Sequence, residues 1–425
     1  MRSKLVRVAL MLLCVHFGSV AIGSAYTADS YFEYVKSVYN QHEKELSGFL
    51  AAELETFMRL FPQDDHAAEA SYLLAQVYLE RGKEHRALAA LFKTLYLYPG
   101  SDVHPSAVEA AHKIIFRNRG YKDKKEELAR IIDGDFAGGG LADRRYRYVA
   151  FLYGLDQSKL YDWLLVEFGD FVTRFKDDAR SEEIQLWIAD TYAAKGKAEA
   201  AVASYLKYER LYPDSDKLPG VKYHRATILS EKIKDFERAA EVLTDVVENH
   251  SGSDHAAAAV YARARIKASR FKDYDGAIAD YRRLVTDRPQ HDKAVEALLA
   301  IAALNAEKLK AYRTAIGVYV EIVDNYPGDN RGIKALEESA KIYLDRLKDP
   351  LAAAAQHARI ATQFPAYGEA ARALYKAAEI CEKKQKDYDK AIEYYQLITT
   401  MFPDSKLAHK AREKITKIVE KMDEG

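Results

Sequence analysis

Apolar positions in this chain recur at helical spacing. Within 370–401, Leu374, Ala377, Ala378 and Cys381 fall on one helical face, and Ala391, Ile392, Tyr395 and Ile398 fall on another, because residues three and four apart share a stripe. The segment therefore predicts two amphipathic helices, antiparallel and joined by a short turn. Nowhere does apolar and polar alternation run long enough to predict a strand.

The pattern repeats. KDYDGAI at 272–278 and KDYDKAI at 386–392 stand 114 positions apart, three steps of 38, and self-similarity at a fixed step marks a repeat architecture. Lys234, Lys272, Lys310, Lys348 and Lys386 keep that step, as do Ala239, Ala277, Ala315, Ala353 and Ala391. A further column runs Ala226, Ala264, Ala302, Ala340 and Ala378, with Ile228, Ile266, Leu304, Ile342 and Ile380 aliphatic beside it. Small and aliphatic columns of this kind predict close helix packing.

Unit ends are marked as well. Phe61-Pro62, Tyr98-Pro99, Tyr212-Pro213, Tyr326-Pro327, Phe364-Pro365 and Phe402-Pro403 repeat an aromatic-Pro pair, and Arg288-Pro289 keeps only the proline. Proline cannot continue a helix, so these positions predict boundaries. Asp214-Ser215 and Asp404-Ser405 follow two of them, suited to cap the next helix. Boundaries at 61, 98, 175, 212, 250, 288, 326, 364 and 402 leave one double-length gap, which Phe136 divides. About ten units follow from this spacing.

These columns carry a resemblance. Ala75, Tyr78, Gly82, Ala87, Leu91 and Pro99, and again Ala189, Tyr192, Gly196, Ala201, Tyr205 and Pro213, resemble the tetratricopeptide repeat over about four fifths of the chain beyond residue 25. The resemblance implies an all-α solenoid, a right-handed superhelix of antiparallel helix pairs. Ala75 to Ala87 and Ala189 to Ala201 are 12 apart, whereas Ala226 to Ala239 and Ala378 to Ala391 are 13 apart. The longer units thus hold one extra residue near the inter-helix turn. Units of 37–38 residues with aromatic-Pro-Asp-Ser ends look like the repeats of bacterial envelope assembly proteins, which implies a non-enzymatic scaffold for protein–protein interaction. A noncatalytic regulatory or chaperone-like subunit of a cell-wall enzyme is the alternative.

The expected organisation is a signal peptide at 1–25, tetratricopeptide-like units at 26–103, degenerate units at 104–175, regular units at 176–403 and a C-terminal capping helix at 404–425. The leader follows from Arg2, Lys4 and Arg7, an apolar run from Val8 to Ala21 and the small residues Gly23-Ser24-Ala25. Cys14 follows Leu13 in mid-run, without the small residue that precedes a lipidated cysteine, so no lipoprotein site is expected. A periplasmic or exported location is the expectation, with no integral membrane span after cleavage and any envelope association made through a partner. After cleavage only Cys381 remains, so stability must come from packing. Within 104–175, the basic residues Arg117, Arg119, Lys122, Lys124 and Lys125, then Gly138-Gly139-Gly140, then a run of aromatics depart most from the pattern. A decayed repeat with an enlarged loop is the reading preferred over a hinge or a docking segment.

Charge and chemistry narrow the function. The 425 residues balance Lys+Arg 64 against Asp+Glu 64, so bulk charge gives no reason to expect a nucleic-acid or an anionic-membrane partner. No zinc-protease, paired-cysteine, nucleophile-elbow or phosphate-loop pattern appears. His250 and His255 flank a loop without a further ligand, so neither a metal nor a cofactor is expected, and no catalytic residue is assigned. A protein or peptide partner is. In the resembled family the first helix of each pair lines the concave face. Positions three before and one after the alanine column share its stripe, which marks Tyr72, Tyr223, Tyr261 and Tyr375, and Gln76, Asp190, Arg265, Lys341 and Glu379, as the expected partner-binding groove.

Overall fold

The structure, a computed structural model, describes residues 27–41 and 44–423. The expected leader and Cys14 lie outside the described residues. Among those described, twenty-one α-helices and no strand are found, an all-α tetratricopeptide-like solenoid as expected. The chain divides between Tyr212 and Pro213 into two compact units.

The second unit is the regular one. It comprises α11 (Leu218–Ile228), α12 (Phe236–Asn249), α13 (Asp254–Ile266), α14 (Tyr274–Asp287), α15 (Ala294–Ala303), α16 (Tyr312–Asn325), α17 (Arg331–Ile342), α18 (Pro350–Gln363), α19 (Ala370–Ile380), α20 (Tyr388–Met401) and α21 (Lys406–Asp423). Within this unit consecutive helices pack on one another. Both alanine columns explain why: all ten side chains are buried to within 1 %, and a methyl group at each crossing lets two helix backbones approach closely. Larger residues, among them Leu243, Tyr281, Ile322, Ile360 and Tyr395, fill the space on either side.

The extra residue of the longer repeats can be placed. In α11, α13, α15, α17 and α19 the last turn widens from α to π, over Leu229–Ile233, Lys267–Phe271, Leu304–Lys308, Tyr343–Leu347 and Cys381–Gln385. A single left-handed residue then reverses the chain: Lys234, Lys272, Lys310, Lys348 and Lys386 have φ of 67°, 59°, 57°, 55° and 59°. The following N–H closes the turn on a carbonyl six residues back, as from Asp235 to Leu229 (2.9 Å) and from Asp273 to Lys267 (3.0 Å). Asp235, Asp273, Asp349 and Asp387 each accept the N–H three residues on, at 2.9–3.0 Å, capping the second helix. Ala311 occupies that place in the remaining repeat, whose second helix has no side-chain cap.

The first unit comprises α1 (Ala28–Asn40), α2 (Ser47–Leu60), α3 (Ala67–Glu80), α4 (Glu84–Leu97), α5 (His104–Arg117), α6 (Lys125–Ile132), α7 (Leu141–Gly154), α8 (Tyr161–Arg174), α9 (Arg180–Ala194) and α10 (Ala198–Leu211). Where the alanines are 12 apart, Gly82 and Gly196 take the left-handed position, at φ 66° and 74°. Their turns close one residue sooner, Lys83 onto Tyr78 and Lys197 onto Tyr192. Glycine carries no steric penalty there, whereas lysine does.

The 104–175 stretch breaks the alternation. Helix α4 packs against both α5 and α7, so α5 and the short α6 form a hairpin beside it and α7 resumes on α4. Phe136 is buried edge-on against Tyr96, ring centroids 4.7 Å apart. The aromatics that follow are core: Tyr148 and Phe168 are fully buried, Phe151 packs on Phe92 at 4.2 Å, and Tyr153 stacks on Trp187 at 4.8 Å.

Two substitutions test the turn. Asp273→Ala should lower the unfolding free energy by about 1 kcal/mol through loss of the cap. Lys272→Gly should raise it by roughly 0.5–1 kcal/mol, because the relief at positive φ exceeds the added freedom of the unfolded chain. Urea unfolding followed by circular dichroism reads both, and a destabilising Lys272→Gly would contradict the left-handed assignment.

Candidate functional site

In the second unit the expected stripe forms a recess. Tyr223 and Thr227 of α11 and Tyr261 and Arg265 of α13 line it with Lys293, just before α15, and Glu296 within it, enclosing about 280 Å³. The two tyrosines are half-buried. Tyr223 stacks on His255 at 5.8 Å, and Tyr261 leans on Tyr281 at 5.3 Å. Burial first, and Glu296 second, hold the Tyr261 hydroxyl above its ordinary pKa, so it stays a neutral donor at physiological pH. Lys293 lies 5.8 Å from the Tyr261 ring centre and pairs with Glu296 at 3.0 Å. Arg265 reaches Glu231 at 3.3 Å.

The remaining expected groove residues divide. Tyr72 and Gln76 of α3 line a separate recess of about 220 Å³ in the first unit, with Glu109, Lys113 and Arg117 of α5 facing them. Asp190 accepts the Tyr205 hydroxyl at 2.6 Å, which ties it to the second helix of its own pair. Tyr375 packs edge-on against Tyr395 at 5.3 Å, and Glu379 pairs with Lys383. Lys341 is exposed, 4.0 Å from Glu338. Lys341, Tyr375 and Glu379 sit on first helices but are not among the residues lining the Tyr223–Tyr261 recess. His250 and His255 point to different partners: His250 lies 3.2 Å from the Lys222 amine, and His255 packs on Tyr223 and His224.

A further cavity is one that the stripe rule did not mark. It encloses about 560 Å³ in the first unit between second helices α2, α4 and α8. On its wall Lys93 meets Glu167 at 2.6 Å, both nearly inaccessible to solvent. Arg145 lies 3.8 Å from the same carboxylate and pairs with Asp170, which also takes Arg174 at 2.6 Å. Trp163 donates its indole N–H to the Tyr148 hydroxyl at 2.7 Å, and that hydroxyl donates to the Ala89 carbonyl at 3.1 Å. Burial pushes the Tyr98 hydroxyl nearby up to about 12. The signal in the sequence was slight: a lysine within the apolar run of α4 and a glutamate within WLLVEFGDF of α8. Among the described residues no group of three or more His, Cys, Asp or Glu could hold a metal.

With this geometry in view, residues 183–215, 232–292 and 372–405 match family models of the tetratricopeptide repeat. Those stretches are similar to tetratricopeptide repeats, and the described residues fold as a solenoid of that class. Proteins of this class are scaffolds for protein–protein interaction and in general lack catalytic chemistry of their own. No curated protein matches it in sequence. Solved structures similar to it include the tetratricopeptide domain of P58(IPK), 15% identical, with 93% of this chain and 99% of that one covered and a TM-score of 0.31. A tetratricopeptide repeat protein from Parabacteroides merdae is 13% identical over 65% of this chain and 96% of its own, with a TM-score of 0.35. YrrB, a tetratricopeptide protein with an unusual peptide-binding site, is 19% identical over 50% of this chain and all of its own, with a TM-score of 0.31.

The charged wall has a testable energetic consequence. Lys93→Met leaves Glu167 buried beside one partner fewer and should cost about 3–5 kcal/mol, while Lys93→Met with Glu167→Gln should cost less than the sum of the single changes. Both tryptophans lie in the first unit, at 163 and 187, so tryptophan fluorescence during urea unfolding reads that unit directly. Additive costs would show the two charges to be independent.

Proposed function

We propose that this chain is an exported, non-enzymatic scaffold that holds an extended segment of a partner protein against the first-helix face of residues 213–425. The recess between Tyr223 and Tyr261 carries this reading. Two half-buried rings offer contact area at small entropic cost, with polar tips left for hydrogen bonds. Thr227 and Ser230 give their hydroxyl protons to the carbonyls of Tyr223 and Thr227, at 2.9 and 3.1 Å, and their oxygen lone pairs remain to accept peptide N–H groups. The flanking pairs Arg265–Glu231 and Lys293–Glu296 present both signs of charge, which suits a peptide better than a polyanion. The basic, apolar and small-residue pattern at 1–25 supports export. The long aromatic-Pro repeats support a place in a bacterial envelope assembly, where a partner brings the scaffold to the membrane.

Among the described residues no helix is long and apolar enough to cross a membrane. Crosslinking the full chain in cells, followed by fractionation and mass spectrometry, tests the proposal. Tyr223→Ala with Tyr261→Ala should lower partner recovery by roughly 30-fold or more, the loss of a central anchor worth about 2 kcal/mol or more, while helical circular dichroism is unchanged. Unchanged recovery would remove these rings from the binding surface, and loss of the helical signal would place them in the core.

A further inference from the structure

Overall neutrality conceals a local pattern. The first helices of the five regular repeats run into the triplets KIK at 232–234, RFK at 270–272, KLK at 308–310, RLK at 346–348 and KQK at 384–386. Both outer positions are basic in every repeat, and all ten of these side chains are exposed. The middle position is apolar in four repeats, and Phe271 and Leu309 leave 41% and 40% of their surface in solvent. In a stack of antiparallel pairs the turns from first to second helix share one edge. Contact across that edge is direct: the Arg270 guanidinium lies 4.3 Å over the ring of Phe236, which opens the second helix of the preceding repeat.

Helix-end electrostatics account for some of this, since cations suit helix C-termini. They do not account for the third residue. Each triplet ends on the left-handed lysine, a conformation that penalises a side chain and that Gly82 and Gly196 fill in the shorter repeats. Lys272 and Lys310 return an amine to the carbonyls of Ser269 and Glu307, at 2.9 and 2.6 Å. Lys234, Lys348 and Lys386 make no such bond among the described residues. Five strained lysines at one edge, where glycine would fold better, are backbone strain of the kind retained for binding. Acidic neighbours weaken the positive field: Asp235, Asp273, Asp349 and Asp387 keep their charge while they cap the second helices, Glu231 is turned to Arg265, and Glu237, Asp275, Glu307, Asp345 and Asp389 stand beside the triplets. The field is most positive at the 308–310 repeat, which replaces the capping aspartate with Ala311 and adds Arg313.

We infer that this edge of residues 213–425 docks on an anionic lipid surface, with Ile233, Phe271, Leu309 and Leu347 entering the headgroup layer and the flanking cations pairing with lipid phosphates. Exposed apolar side chains set between cations distinguish a lipid interface from an acidic polymer, which would use the charges alone. This edge lies at the helix ends and borders the tyrosine recess at Glu231, and its docking does not depend on whether that recess holds a peptide.

Sedimentation of the full chain with vesicles tests the inference, using phosphatidylcholine alone and phosphatidylcholine mixed three to one with phosphatidylglycerol. Binding is expected to the mixed vesicles only, and to fall as salt rises. Replacing three left-handed lysines, by Lys272→Gly, Lys310→Gly and Lys348→Gly, should weaken it about 100-fold, from the usual contribution of each basic residue near a charged membrane. Glycine suits these positions, so the thermal midpoint should hold or rise, which separates lost binding from lost folding. Phe271→Ser with Leu309→Ser should weaken vesicle binding with the charges intact. No sedimentation with mixed vesicles, equal sedimentation with neutral ones, an unaffected triple variant, or capture by heparin without capture by vesicles would each overturn the lipid assignment.

Discussion

Everything in the regular half of this protein depends on the close approach of two helices at an alanine. Ala226 and Ala239, and their counterparts in each following repeat, remove side-chain bulk at the crossing and leave the larger residues to interlock beside it. No disulfide assists. Cys381 is free and buried at the head of the last π turn, where burial pushes its thiol up to about 11, so it acts as a small apolar residue. Because each helix packs on its sequence neighbours, cohesion is a sum of local interfaces. The surface is likewise a repeated one: whatever one repeat exposes, the next exposes one step along.

Spacing made the periodic features legible. The step of 38, the two alanine columns and the 12-against-13 difference are all in the sequence, and they place the helices and locate the extra residue near the turn. How that residue is absorbed was not readable. A lysine does not announce a left-handed backbone as Gly82 and Gly196 do, and a π turn has no side-chain signature of its own. The 104–175 stretch was obscure for a different reason. That α7 returns to α4, with Phe136 wedged against Tyr96, is decided by contacts between residues 40 or more positions apart. No local pattern encodes them.

The candidate site was legible to the same degree. Offsets from the alanine column find a stripe along the first helices, and they bring Tyr223, Tyr261 and Arg265 to one recess. They carry no information on what faces each position. Asp190 is therefore drawn to Tyr205 and Tyr375 to Tyr395, while Tyr72 and Gln76 meet the irregular α5 instead of a regular neighbour. Lys93 and Glu167 escaped notice because a charge on an amphipathic helix ordinarily faces water. Here α2, α4 and α8 close around them.

Two surfaces of the second unit thus follow from one repeat: a recess along its first helices, and a basic and apolar edge where those helices end. That the first-helix face is the binding face is tested most directly by position-specific photocrosslinking of the full chain in cells. A photoreactive residue in place of Thr227 or Arg265 is compared with one in place of Glu241 or Arg283, which are partly or fully accessible positions on second helices α12 and α14. A partner adduct formed from the first pair and absent from the second is the predicted result. Adducts formed equally from both pairs, or only from Glu241 and Arg283, would contradict it.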